Sequence, residues 1–288
     1  MQEKPLHKPR IGVLIQLSEY IKSDLCQLAR MGFSTGQLAC EDQSLYQPEY
    51  LEMLRQAIRE TGFTFQAMYC GWSGYHTYSY PDMYHTLGLV PEDKRERRIQ
   101  DVMRGIDFAS QLGIPAALTH VGFVPDNPLD PVYLRIAAAL REISAYAGNR
   151  GMRFLFETGD MLPVTLKELI RSLRDPWIGV NLDPANFLTN GRANPLDALR
   201  MLSPYVWAVH AKDGTYPVGD SPKGEERPIG QGQADFPALI RELHRMGYTG
   251  DIAIENEMDG PERENQLLAA KQYLTQLVNE IYGADHEQ

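Results

Sequence analysis

Short apolar runs alternate with longer stretches whose apolar positions recur at helical spacing, from Ile11 to Tyr282. The runs predict strands at Ile11–Gln16, Thr35–Ala39, Phe63–Tyr69, Ala116–Val121, Arg153–Glu157, Ile178–Asp183, Val206–Ala211 and Ile252–Glu255. Between them, helices are predicted at Tyr20–Met31, Pro48–Thr61, Pro91–Leu112, Pro131–Asn149, Thr165–Leu173, Pro195–Leu202 and Phe236–Met246, with a last one at Glu262–Tyr282. Eight strand and helix pairs with no hairpin signal predict an α/β fold, a single (β/α)8 barrel over residues 1–288, rather than an open doubly wound sheet. Glycines at helix ends (Gly32, Gly62, Gly113, Gly151 and Gly247) fit helices that stop before inward-running strands. No G-x-G-x-x-G follows the first strand, which argues against a dinucleotide site.

The last four strands each end in a side chain of metal-ligand type: Glu157, Asp183, His210 and Glu255. Side chains alternate faces along a strand. The bulky residues Phe154, Phe156, Ile178, Val180, Leu182, Trp207, Val209, Ile252 and Ile254 all have the opposite parity and are expected to face the helices. The four ligand types then point inward, beside small Gly179, Ala208 and Ala253, as a crowded barrel interior requires. Three carboxylates and an imidazole suit one divalent metal, Mn2+ above all, with Mg2+, Co2+ and Zn2+ also compatible.

Composition narrows the class. A 43% hydrophobic and 23% charged chain is ordinary for a globular protein, and no apolar run approaches the ~18 residues of a membrane span. The start, MQEKPLHKPR, lacks the apolar core of a secretory signal, so a cytoplasmic location is expected. Cys26, Cys40 and Cys70 are odd in number and lack C-x-x-C spacing, which predicts reduced thiols. A net charge of -10 disfavours nucleic acid as a partner, since phosphate binding needs a basic footprint. The one basic run, Lys94 to Arg98, lies among Glu92, Asp93, Glu96 and Asp101 and reads as a solvated helix face.

Two long loops, 70–90 after the third strand and 213–232 after the seventh, emerge at the C-terminal face, where barrels build their sites. The first holds Trp72, Tyr75, His76, Tyr78, Tyr80 and Tyr84, which can stack on a bound ring and close the mouth or form a homo-oligomer interface. In the second, Gly230-Gln231-Gly232 can offer N–H groups to a phosphate or simply make a tight turn. His120, at the end of the fourth strand, is a candidate to bind substrate or to be a buried interior histidine. Lys212 and Asp213 either orient the ligand shell or form a rim salt bridge.

The segments LFETGD, VNLDPAN, VHAKDG, PIGQGQADF and IAIENE resemble the xylose isomerase-like TIM-barrel superfamily, which includes sugar isomerases, ketose 3-epimerases, inosose dehydratases and endonuclease IV. The resemblance spans nearly the whole chain and implies that Glu157, Asp183, His210 and Glu255 bind one divalent metal. It further implies a carbohydrate or polyol ketone as substrate, with Glu157 and Glu255 exchanging a proton on opposite faces of an acidified carbon. Arg227 resembles a substrate-contacting Arg of the epimerases, and Trp72 falls in the aromatic loop expected at the mouth. One departure is visible: the epimerases often carry His three residues after the metal Asp, where this chain has Asn186. Asn186 keeps hydrogen-bonding capacity without a titratable group and is expected to contact substrate.

A metal-dependent sugar isomerase or epimerase is therefore the leading expectation. A keto-sugar or inosose lyase starts from the same acidified C–H and is its nearest rival. An endonuclease IV-like repair enzyme would call for more His ligands and a basic groove than this acidic chain with seven His offers. A non-catalytic sugar-binding module would not need the complete ligand set.

Overall fold

A computed structural model describes residues 7–256 and 262–283. Residues 1–6, 257–261 and 284–288 of the expected 1–288 domain, Glu257 of the IAIENE segment among them, lie outside the described residues. Eight parallel strands close into a barrel: β1 Ile11–Gln16, β2 Thr35–Cys40, β3 Thr64–Cys70, β4 Ala116–Thr119, β5 Arg153–Glu157, β6 Ile178–Leu182, β7 Val206–Ala211 and β8 Ile252–Ile254. Closure comes from β8 pairing back on β1, with Ile11 opposite Ile252 and Val13 opposite Ile254. The expected eight helices are all present, and the protein is a single (β/α)8 TIM barrel.

Local chemistry sets the element ends. Proline occupies the first helical position at Pro48, Pro131, Pro163 and Pro195, where its missing N–H costs nothing. Gly62 ends the Pro48–Thr61 helix at φ 68°, a left-handed conformation that a side chain would strain. Two short helices escape the periodicity, Met83–Thr86 inside the first long loop and Pro184–Thr189 directly after β6. Each is under two turns, too short to show a repeat.

Between strands and helices lies the main core, which takes Phe154, Phe156, Ile178, Val180, Leu182, Val209, Ile252 and Ile254, as parity predicts. A separate interior cluster holds Ala39, Ala67, Tyr69, Ala116, Leu118, Leu155 and Ala208. Trp207 departs from its expected outward face and packs against this interior cluster. The cause is a register shift: Val206 pairs with Val180 and Ala208 with Asn181, so β7 carries one extra residue and the alternation breaks at Trp207. Cys26, Cys40 and Cys70 are free thiols. No described helix is long and apolar enough to cross a membrane.

Nor is the Lys94–Arg98 run a solvated face throughout: Arg95 and Arg98 are buried, Arg98 completely. They turn inward because the 70–90 loop presents carbonyls that helix and sheet cannot satisfy. Arg98 donates to the carbonyls of Ser73 (3.1 Å), Tyr75 (3.2 Å), Thr86 (2.8 Å) and Gly88 (2.6 Å), and its guanidinium stacks 4.2 Å from the Trp72 ring centroid. Arg95 donates to Leu89 and Val90. In the 213–232 loop the Asp213 carboxylate accepts from the backbone N–H of Gly214, Gly230, Gly232 and Ala234, at 2.8 to 3.0 Å. The Gly230 and Gly232 donors, candidates for a phosphate in the sequence, are therefore engaged by Asp213.

Candidate metal centre

Three of the four ligand candidates stand at the barrel's C-terminal rim through chain geometry alone. Glu157 is the last residue of β5, while Asp183 and Glu255 directly follow β6 and β8; His210 is the penultimate residue of β7. One ligand atom from each lies within 4.8 Å of the other three. Glu157 Oε1, Asp183 Oδ2, His210 Nδ1 and Glu255 Oε2 are buried and have no aligned hydrogen-bond partner among the described residues. His210 Nδ1 comes within 2.8 Å of Glu255 Oε2, 3.4 Å of Glu157 Oε1 and 3.9 Å of Asp183 Oδ2, so the four converge on one point. Leaving even one such atom buried and unpaired costs about 1–3 kcal/mol. A divalent cation at their common centre would satisfy all four, and a set of three oxygens and one nitrogen is compatible with such an ion.

The other atom of each group is held away from that centre. Glu157 Oε2 accepts from Asn181 Nδ2 at 2.7 Å, and Glu255 Oε1 accepts from Lys212 Nζ at 3.3 Å. Asp183 Oδ1 accepts from the Asn186 backbone N–H at 2.9 Å and so caps the Pro184–Thr189 helix. The Asp183 backbone is itself pinned, its N–H donating to Thr158 Oγ1 while the Thr158 hydroxyl donates to the Asp183 carbonyl. His210 Nε2 lies 2.9 Å from Gln37 Oε1, whose Nε2 donates to Asn181 Oδ1 at 2.9 Å. Every ligand is thus turned by a named neighbour.

Burial and charge oppose each other here. Burial pushes the Asp183 carboxyl well above the ordinary carboxylate range. Glu255 is buried too, but Lys212 and then His210 outweigh that effect and hold it well below the range. For His210, burial disfavours the charged ring, yet Glu157 and Glu255 raise its proton affinity well above that of a free imidazole. A cation would replace that proton as the partner of the two glutamates.

A cavity of about 620 Å³ opens from the ligand candidates to the rim, lined by Glu157, His210 and Glu255 and by the substrate candidates His120, Asn186 and Lys212. His120 Nδ1 lies 3.0 Å from Asp160 Oδ2, which also accepts from the Gly122 N–H. Burial works against a charged His120, but Asp160 prevails and lifts it to about 9. Trp72 and Arg227 lie outside the cavity wall. The Trp72 indole is buried and donates to Thr119 and the His120 carbonyl, supporting the end of β4. Arg227 is exposed on a two-stranded ribbon, Asp213–Gly214 with Glu226–Arg227, and pairs with Glu225. Gln37, Asn181 and Asp160 were missed in the sequence. Asn181 shares the inward parity of Asp183 and was the most readable of the three.

Comparison with known proteins bears on the fold and the family. A xylose isomerase domain protein from Planctomyces limnophilus matches over 96% of this chain and 99% of its own, with a TM-score of 0.87 at 29% identity. A D-tagatose 3-epimerase-like protein matches over 96% and 99%, with a TM-score of 0.75 at 20% identity. A xylose isomerase-like TIM barrel protein from Mycobacterium smegmatis, in complex with magnesium, matches over 91% and 89%, with a TM-score of 0.70 at 17% identity. The last two share the fold. Residues 25–277 match one family's sequence profile, and the chain belongs to the xylose isomerase-like TIM-barrel family.

Proposed function

We propose that the protein is a divalent-metal-dependent sugar isomerase or epimerase that abstracts a proton next to a ketose carbonyl. The observation that carries this reading is the set of four buried ligand atoms converging on one point at the floor of a sugar-sized cavity. When bound, a divalent cation, Mn2+ by preference, supplies the Lewis acidity that makes a C–H beside a carbonyl removable.

The protein's own residues do the rest. Glu157 and Glu255 flank His210, and each keeps one oxygen turned inward while the other is held by Asn181 or Lys212. One glutamate removes the proton and the other returns it, to the opposite face in an epimerase or to the neighbouring carbon in an isomerase. Lys212 favours the ionised form of Glu255, the form that a base needs. Asn186 and His120 line the same cavity and orient substrate hydroxyls.

The test incubates metal-loaded protein with a panel of ketoses, inososes and keto-glycosides in D2O. Exchange of one C–H, followed by product analysis, supports the reading and separates epimer, isomer and eliminated product. His210→Ala should weaken metal binding ~10-fold or more, because a direct ligand is lost. Unchanged metal content in that variant would remove the centre from the proposal.

A further inference from the structure

Beneath the metal ligands, four side chains from four strands form one continuous string. His210 on β7 meets Gln37 on β2, Gln37 meets Asn181 on β6, and Asn181 meets Glu157 on β5, at 2.9, 2.9 and 2.7 Å. Gln37 and Asn181 are fully buried, and Glu157 and His210 are only 2% exposed. Water therefore cannot rescue a misdirected hydrogen bond anywhere along it.

The direction of such a string is set by whichever member has no choice. An ionised carboxylate can only accept, so Asn181 must turn its NH2 to Glu157 Oε2. Its carbonyl oxygen then faces Gln37, which must supply its own NH2. That leaves Gln37 Oε1 facing His210, where the only complementary group is a protonated Nε2. Nδ1 is then the bare nitrogen, and it is the atom that points at the metal centre.

We infer that Gln37 and Asn181 are positioning residues that couple two metal ligands, the Glu157 carboxylate fixing through them the Nε2–H form of His210. This rests on the metal-dependent reading above. Two ligands on non-adjacent strands, Glu157 on β5 and His210 on β7, are prepared for the cation together rather than one by one.

Zn2+, which is diamagnetic and accepts mixed His and carboxylate ligands, serves as the probe. In the Zn2+-loaded wild-type protein, a long-range 1H–15N spectrum should show the His210 ring, identified by its loss in His210→Ala, protonated at Nε2 and metal-bound at Nδ1. The reverse pattern would overturn the inference without any variant having to fold. A chelator competition then measures Zn2+ affinity for Gln37→Met, Asn181→Leu and the double variant, with the melting temperature of each metal-free protein as control. Since either break interrupts the same string, each single change should weaken Zn2+ about 10-fold or more, and the double variant should be no weaker than the worse single by more than about 3-fold. Losses that multiply mean that each amide serves its own ligand, and affinities unchanged beside a lowered melting temperature mean a merely structural pair; both refute the coupling. Wild-type protein that binds no Zn2+ refutes the metal-dependent reading itself, and the coupling with it.

Discussion

The two long loops at the mouth of the barrel are fixed by the same device with opposite charge. In the 70–90 loop a buried cation, Arg98, collects four backbone carbonyls, whereas in the 213–232 loop a buried anion, Asp213, collects four backbone N–H groups. Which sign is used follows from the backbone. The first loop folds with its carbonyls inward and needs a donor fork with five N–H groups; the second turns through Gly230 and Gly232 with its amides inward and needs an acceptor. The sources also differ. Arg98 comes from the Glu92–Gln111 helix beyond its loop, so that loop is shaped from outside, while Asp213 stands at the stem of its own loop. Only the second loop should hold its local turn when neighbouring elements loosen.

Removing the cation should have the larger effect. Arg98→Met leaves four carbonyls, that of Gly88 buried and the others partly so, without their donor and strips the stacking from Trp72, a loss of ~4–6 kcal/mol. Thermal unfolding should fall by roughly 10 °C. Arg98→Lys should recover only part of it, because one ammonium cannot span four carbonyls in a planar fork. A melting temperature within about 2 °C of wild type for Arg98→Met would show that the 70–90 loop is held by something else.

Asp213→Asn is the matching change in the other loop. The amide keeps one acceptor but sets its NH2 against two backbone N–H groups, for a cost of about 3 kcal/mol. Hydrogen exchange should show lost protection at Gly230, Gly232 and Ala234 with little change at Ser73 or Gly88. Protection lost equally in both loops would break the distinction between them.

This contrast also marks where sequence reading stops. The barrel and the four candidate ligands are legible because side chains alternate along a strand, and Glu157, Asp183, His210 and Glu255 all fall on the inward parity at or near a strand end. Arg98 and Asp213 bind backbone groups, which leave no side-chain pattern at any spacing, so a buried clamp in the Lys94–Arg98 run reads as an ordinary charged helix face. Gln37 has its partners on β6 and β7, far away in sequence, and its role appears only once the barrel closes. Trp207 fails for a different reason: a one-residue bulge in β7 reverses a parity that nothing in VWAVH announces.

His120 and Asp160 repeat the clamp at smaller scale, with a cation that can be switched off. Because Asp160 raises His120 to about 9, above its unfolded value, the pair's contribution is complete below about pH 6.5 and is lost as pH rises through about 9. In metal-free protein the stability gap between wild type and Asp160→Asn should therefore shrink by on the order of 2 kcal/mol between pH 6 and pH 10. The hydrogen bond from Gly122 to Asp160 remains as a pH-independent part. Denaturant titrations at the two pH values check this, and a gap that widens with pH would reverse the assignment.

The smallest effect is expected where the loops meet. Lys223 donates to the Tyr78 carbonyl at 3.3 Å and lies 5.7 Å from its ring centroid, at the rim of the cavity and half-exposed. A solvated contact of this kind contributes little to stability, so Lys223→Ala should change unfolding by no more than ~0.5 kcal/mol. Its consequence should appear instead in turnover. Both side chains line the cavity, and loosening their contact should raise KM for whichever sugar the D2O panel identifies, with kcat nearly unchanged. The Arg98→Met and Asp213→Asn costs should meanwhile add within about 0.5 kcal/mol, since the two clamps share no partner. If Lys223→Ala instead destabilises the protein as much as Asp213→Asn, the loops are one cooperative lid, and the two clamps cannot be treated as independent.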